Sequence, residues 1–283
     1  MLAKAGGQPT DTAAGVMTTT RAVVVASPND RHLDDLNGAM QGGLHCFVEK
    51  PLAHHAGGVA ELLALAHRKN LVVFCGFNLR FHPCVIAARA ALDAGKIGRP
   101  IRAQIECASY LPNWRPGTDY RKSYAANPAT GGVVFDVIHE IDVALFLFGA
   151  AQVTAASAYC SGYLDMPSDD VADFVLRHSS GVSSAVHLDY VTRPPLRRTR
   201  VVGTEGSLEI DLIARTLTRL SPAGQVAESI AYPGSFTEDY REEMIAFLAR
   251  IDGRPGAGAD GEDGLRALKV ALDVRHMSGL PNV

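Results

Sequence analysis

The chain has 283 residues, a formal net charge of −3, 47% hydrophobic residues and 20% charged ones. That is an ordinary globular composition, enough for one large domain or two modest ones. It excludes a disordered chain, a collagen-like repeat and a disulfide scaffold. It gives no electrostatic reason to expect nucleic acid as a partner. No apolar run approaches the ~20 residues that cross a bilayer, so no membrane partner is expected. The five cysteines, Cys46, Cys75, Cys84, Cys107 and Cys160, are odd in number and contain no Cys-x-x-Cys pair. Reduced thiols, a cytoplasmic protein and no metal site follow as expectations.

Met1–Thr20 has no apolar h-region, so it does not read as a signal peptide. It is small, polar and weakly patterned, and a loosely ordered start or a damaged helix is expected. Arg21–Ser27 is a β-branched run followed by Pro-Asn-Asp, the pattern of a buried parallel strand and its turn. A helix over 31–41 is stopped by Gly42-Gly43. Strand His45–Glu49, helix His55–Arg68, strand Leu71–Gly76 and helix His82–Ala94 follow. This alternation predicts right-handed βαβ units in a parallel sheet.

After Gly98 the rhythm changes. Pro100–Tyr110 reads as a longer strand, and Leu111–Thr130 as a loop rich in Pro, Gly and aromatics. Val134, Val137, Ile138, Ile141, Leu145 and Phe148 predict one helix over Val133–Phe148. Gln152–Pro222 reads as strands without intervening helices, the mark of a mainly antiparallel sheet. Ser235-Phe-Thr-Glu238 resembles a capping box. It opens a helix with Tyr240, Met244, Phe247, Leu248 and Ile251 as its expected buried stripe. A Gly-rich loop then leads to a last helix over Asp263–Met277. The fold class is therefore α/β plus α+β. A Rossmann-like parallel sheet over 1–98 precedes a domain over 99–283 with a large, open, mostly antiparallel sheet.

Three places offer chemistry. Glu49-Lys50-Pro51 ends a predicted parallel strand, where open α/β sheets bind ligands. A lysine held there can donate a proton or hydrogen bond to a substrate oxygen, but the tripeptide alone more often marks a surface turn. Asp136, His139, Glu140 and Asp142 fall on one face of the predicted helix. A histidine beside carboxylates suits general acid/base work. A solvated helix face is the alternative. The loop Asn113–Arg121 carries Trp114, Arg115, Asp119, Tyr120 and Arg121, with Tyr124 just beyond. Its arginines suit carboxylate or phosphate recognition, and its aromatics suit either a ligand site or a plug at a domain junction.

In chain order, Ala26-Ser27-Pro28-Asn29 with His32, then Glu49-Lys50-Pro51, then Gly76–Pro83, then Gly131-Gly132 with Asp136, His139 and Asp142, resemble the Gfo/Idh/MocA family. The resemblance runs from Arg21 to the C-terminus. It implies an NAD- or NADP-dependent oxidoreductase acting on a sugar, sugar nucleotide or cyclitol, a homo-oligomer through the second sheet. It implies cofactor contacts from Ser27, Pro28, Asn29, His32, Glu49 and Lys50. It makes Lys50, His139 and Asp136 catalytic, and the Trp114–Arg121 loop substrate-binding.

Two departures stand out. Asp136 lies three residues before His139, where many relatives have four. The family's opening Gly-x-Gly-x-x-Gly turn, which holds a pyrophosphate on backbone N–H groups, is not found. Ala5-Gly6-Gly7 precedes no fitting element, and Gly38–Gly43 lies inside a later unit. Relative to the family, two strands and two helices are missing, roughly 60 residues at about 30 per unit. Either the start lies upstream of Met1, or the chain is a sugar-binding or oligomerising remnant.

Overall fold

A computed structural model describes residues 20–281. The expectation for Met1–Thr20 falls, but for its last residue, outside them. The first sheet takes β1 (Ala22–Val25), β2 (His45–Val48) and β3 (Val73–Cys75), all parallel, in the order β1-β2-β3. Val48 and Cys75 are fully buried and Val25 is buried with them, which is what short β-branched and apolar runs do in a sheet covered on its faces. Helices α1 (His32–Gln41) and α2 (Val59–Arg68) make the crossovers. Gly43, at φ +77°, supplies the left-handed turn into β2. The carboxyl ends of the three strands open on one edge, at Ala26–Asn29, Glu49-Lys50 and Gly76. A 3-10 turn (Asn78–Phe81) and α3 (Pro83–Asp93) lead out of the sheet.

The second sheet has eight strands: β4 (Pro100–Ala108), β5 (Ala151–Tyr159), β6 (Val171–His178), β7 (Ser183–Asp189), β8 (Leu196–Gly203), β9 (Gly206–Asp211), β10 (Thr216–Leu220) and β11 (Val226–Ala231). Their order is β11-β10-β9-β8-β4-β7-β6-β5. Every pair is antiparallel except β4 with β7. Side chains alternate in β7, where Ser184, Val186 and Leu188 are buried and Ala185 is exposed. The inner face carries Ile105, Phe174, Leu176, Val186 and Leu188 into one core with α4 (Val133–Asp136) and α5 (His139–Phe148). The other face, with Gln104, Arg198 and Arg200, is open.

The chain then returns to the first sheet. Helix α6 (Phe236–Ile251) packs Phe247 on Phe47 and Phe74. Strand β12 (Ala259–Asp260) pairs antiparallel with β3. Asp260 caps α7 (Gly261–Met277), accepting the Asp263 N–H at 2.8 Å.

Two expectations are corrected. Val133–Phe148 is two helices, broken at Val137-Ile138. In an unbroken helix the Asp136 carbonyl would accept the Glu140 N–H. Here that carbonyl accepts from Lys50 Nζ, and the Glu140 N–H turns to Val137 O at 3.3 Å. The stripe of α6 is also different. Tyr240 and Leu248 are each 51% exposed, and the buried side carries Asp239, Glu243, Ala246 and Phe247. The capping arm at its start is present, with the Ser235 N–H donating to Glu238 Oε2 at 2.7 Å. All five cysteines are unpaired. Among the described residues no helix is long and apolar enough to cross a membrane.

Candidate active site

A cleft of about 720 Å³ lies where the strand ends of the first sheet face α4 and α5. Ser27, Pro28, Asn29 and His32 line it from the turn after β1, and Glu49 and Lys50 from the end of β2. Asp136 and His139 line it from the broken helix, and Trp114, Arg115 and Tyr124 from the loop.

Lys50 is the link between the two halves. Its Nζ lies 2.8 Å from Asp136 Oδ1 and also donates to the Asp136 carbonyl. The same carboxylate accepts from Tyr124 OH at 2.5 Å and from Tyr190 OH at 2.9 Å. Burial pushes the Asp136 pKa up, but Lys50 and these two phenols outweigh it and hold the group below the usual carboxylate range. Burial, together with the Asp136 charge, raises both phenols, so Tyr124 and Tyr190 stay protonated donors.

His139 is 8% exposed, with its ring edge-on to Phe77 at 5.8 Å. Burial, then the nearby charges of Lys50 and Arg197, push its pKa well below 6.5, so the ring is neutral at neutral pH. Its Nδ1 is buried without a hydrogen-bond partner. Asp136 directs its hydrogen bonds to Lys50, Tyr124 and Tyr190 rather than to the imidazole. Glu140, one position on, is held by Arg197 through two bonds of 2.6 and 3.0 Å. The four polar residues at the helix break are all buried, so this is no solvated face.

The turn after β1 is held rather than free. Ser27 Oγ donates to Asp35 at 2.6 Å, and Asn29 Nδ2 donates to Thr130 O at 2.6 Å. The His32 ring bridges Ser27 O and Pro51 O, each at 2.8 Å. These side chains fix the positions of the two strand-end turns that face the cleft. Arg80 does the same from outside the cleft. It bonds Asp142 on α5 at 2.6 Å and Asp263 on α7 at 2.8 Å, tying the first sheet to the second domain.

Asp119 and Tyr120 line a side chamber beneath Trp114, while Arg121 points away and pairs with Asp119 at 2.7 Å and Asp165 at 3.3 Å. Sequence reading missed Tyr190, Arg197 and Glu243. Tyr190 continues the buried alternation of β7, and a phenol at a strand end facing an acid-rich helix was the available signal. Nothing local marks the other two.

A nicotinamide dinucleotide fits one end of this cleft. Ser27, Asn29, His32, Glu49 and Lys50 line it there with polar groups, at the strand-end edge where open α/β sheets hold ligands. The first turn of α1 carries Asp34 and Asp35, which repel a phosphate. The chain does contain one Gly-x-Gly-x-x-Gly, at Gly256–Gly261, which corrects the reading that it has none. Those glycines serve packing. A Cβ at Gly258 would come 2.2 Å from the Phe74 ring, and one at Gly261 2.3 Å from Leu63. The residues described thus fit the nicotinamide end and supply no glycine turn for the phosphates.

A strand-end edge closed by a second sheet with lysine and histidine facing across it defines a two-domain dinucleotide-dependent oxidoreductase. Residues 9–77 match the oxidoreductase family, NAD-binding Rossmann fold, and residues 85–209 the GFO/IDH/MocA C-terminal domain. The chain belongs to the Gfo/Idh/MocA family of NAD(P)-dependent oxidoreductases. It is 31% identical over 263 residues to 1,5-anhydro-D-fructose reductase of Ensifer adhaerens, covering 89% of this chain and 76% of that one. It is 27% identical over 260 residues to inositol 2-dehydrogenase of Rhizobium meliloti, covering 88% and 76%. Among solved structures, levoglucosan dehydrogenase with NADH and levoglucosan superimposes with a TM-score of 0.87 at 18% identity, over 98% of this chain and 84% of that one. UDP-N-acetylglucosamine 3-dehydrogenase of Acidithiobacillus ferrooxidans gives 0.79 at 23% identity, over 97% and 84%. At these identities the structural likeness is one of fold.

Proposed function

We propose that the chain oxidises a secondary hydroxyl of a sugar, sugar nucleotide or cyclitol, with Lys50, His139 and Asp136 at the reacting centre. The observation that carries this is the meeting of Lys50, from the first sheet, with Asp136 and His139 at the helix break, around one cleft. Neutral His139 accepts the hydroxyl proton at Nε2. Lys50 donates a hydrogen bond to the same oxygen as negative charge develops there. Asp136 acts as a positioning residue: it fixes the Lys50 ammonium and, through Tyr124, the edge of the substrate loop. A nicotinamide cofactor, NAD or NADP, held near Ser27–Asn29, His32, Glu49 and Lys50 supplies the hydride acceptor.

The open face of the second sheet supports assembly as a homo-oligomer, and five unpaired cysteines support a cytoplasmic setting. The test is a titration of NADH and NADPH followed by nicotinamide fluorescence, then cofactor reduction with a panel of sugars and cyclitols. Saturable binding and turnover with at least one member are expected. No binding at millimolar cofactor overturns the reading for this chain.

A further inference from the structure

Beneath Trp114 the cleft continues into a side chamber of about 230 Å³, walled by Leu111, Trp114, Tyr120 and Tyr124, with Arg115 and Lys122 among its lining. It is smaller than the ~300–1,000 Å³ of a whole ligand pocket, so it suits part of a ligand. Trp114 is fixed in place: its indole N–H donates to Ser109 Oγ at 2.9 Å, and its ring meets Tyr190 edge-on at 5.4 Å.

Two cations at the rim of the chamber lack an ion-pair partner, although Lys122 adds to the positive field on Asp119. Asp119 and Asp136 also line it, but each is already paired, Asp119 with Arg121 and Asp136 with Lys50. The other arginines at this end are engaged as well. Arg197 holds Glu140, Arg198 holds Asp211, and Arg193 bonds Tyr163 OH and covers the Tyr110 ring. Arg115 and Lys122 have no carboxylate within ion-pair distance among the described residues. The Arg115 guanidinium instead lies 5.8 Å from the centre of the Tyr124 ring, beside the wall shared with the main cleft. Both side chains are solvent-exposed at the rim of the aromatic-walled recess, where a neutral ring would leave them to water. They match an oxyanion attached to one.

We infer that this chamber is an anion-selecting subsite, and that the substrate carries a carboxylate or phosphate group that Arg115 and Lys122 hold while the reacting hydroxyl faces Lys50 and His139. This rests on the dehydrogenase reading above and narrows its substrate to an acidic sugar or a nucleotide sugar.

Trp114 is the chain's single tryptophan, so its fluorescence reports occupancy of the chamber without any turnover. The probes are UDP, D-glucuronate and, as the neutral control, myo-inositol. UDP or D-glucuronate is expected to shift the emission saturably, and Arg115→Gln and Lys122→Gln each to weaken that binding about tenfold or more. A response to UDP alone assigns the diphosphate, and one to D-glucuronate alone the carboxylate. Absence of any response to either anion up to about 10 mM, or unchanged affinity in both variants, overturns the subsite. The outcome is separable from that of the dehydrogenase reading. Anion binding lost in Arg115→Gln, without cofactor reduction on any sugar, upholds the subsite and removes the activity. Turnover of neutral sugars with kcat/KM unchanged by Arg115→Gln does the reverse.

Discussion

Lys50 and Asp136 meet at 2.8 Å across the junction of the two sheets, and the lysine also takes the Asp136 backbone carbonyl. One side chain therefore joins the halves of the cleft and takes the carbonyl at the break in the helix that carries His139. Asp136→Asn keeps the shape and removes the charge that fixes Lys50. Its kcat/KM is expected to fall at least about 100-fold, and that of Tyr190→Phe about tenfold, the cost of one hydrogen bond to a charged group. Equal activity in Asp136→Asn would show that the pair is only structural.

His139 is held neutral by burial, Lys50 and Arg197. A base with a lowered pKa is already deprotonated at neutral pH. Its acid limb in kcat/KM is therefore expected below 6.5, with no His139 titration through the neutral range. Lys50→Met removes one of the depressing charges. NMR of the His139 ring should then show its titration moving up toward 6.5. An unmoved or lowered titration would contradict the electrostatic account.

Arg275 and Asp169 are both fully buried and 2.7 Å apart. Arg275 also bonds Pro128 O and Gly131 O, and Asp169 accepts the Val134 N–H, so the pair secures the start of α4. Arg275→Leu leaves a buried carboxylate unpaired and is expected to cost about 3–5 kcal/mol. At this chain length that lowers Tm by roughly 10 °C, measurable by calorimetry. Gly132→Ala acts on the same point. Its Cβ would lie 1.9 Å from Asp169 Oδ1 on a backbone at φ +88°.

Glu243 is 2% exposed, and its Oε1 has no hydrogen-bond partner. Burial, then Glu49 and Asp142, raise its pKa from 4.5 to about 9. A raised pKa makes its contribution to stability complete below the unfolded value and progressively lost as pH rises toward 9. Glu243→Gln removes that dependence. Its Tm is expected to exceed the parent's by a few degrees at pH 9 and to match it near pH 4. A parallel shift at both pH values would refute the assignment.

His187, on the open face of the second sheet, lies between Asp173 at 2.8 Å and Asp189 at 3.0 Å. Its hydrogen bond to Asp189 outweighs burial, and with Asp173 it raises the pKa to about 9. The stabilisation it gives is complete below 6.5 and disappears as pH rises through 9. His187→Gln is therefore expected to lower Tm at pH 6 and to leave it nearly unchanged at pH 10.

The parallel sheet was legible because Ala22–Val25 and His45–Val48 are short β-branched or apolar runs bounded by turns and helices. The lysine and histidine were legible because a strand-end Glu-Lys-Pro and a His among acids are local signals. The helix break was not, because Lys50, which takes the carbonyl there, lies 86 residues away in sequence. The buried side of α6 was misread for a related reason. Asp239 is held by Arg215 at 2.9 Å, and Glu243 is buried as well, so polar residues occupy the side that periodicity assigns to Tyr240 and Leu248. Arg121 looked as suited to ligand recognition as Arg115. Only the pairing with Asp119 and Asp165 separates them.

The central claim is that the junction of Lys50, Asp136 and His139 performs hydride-transfer chemistry on a sugar hydroxyl. Its most direct test is the rate of cofactor reduction by the parent chain, Lys50→Ala and His139→Asn on one substrate, with melting curves recorded in parallel. The account predicts a fall in kcat of about 100-fold or more in each variant, with cooperative melting retained. Turnover in either variant equal to the parent's would place the chemistry elsewhere in the protein.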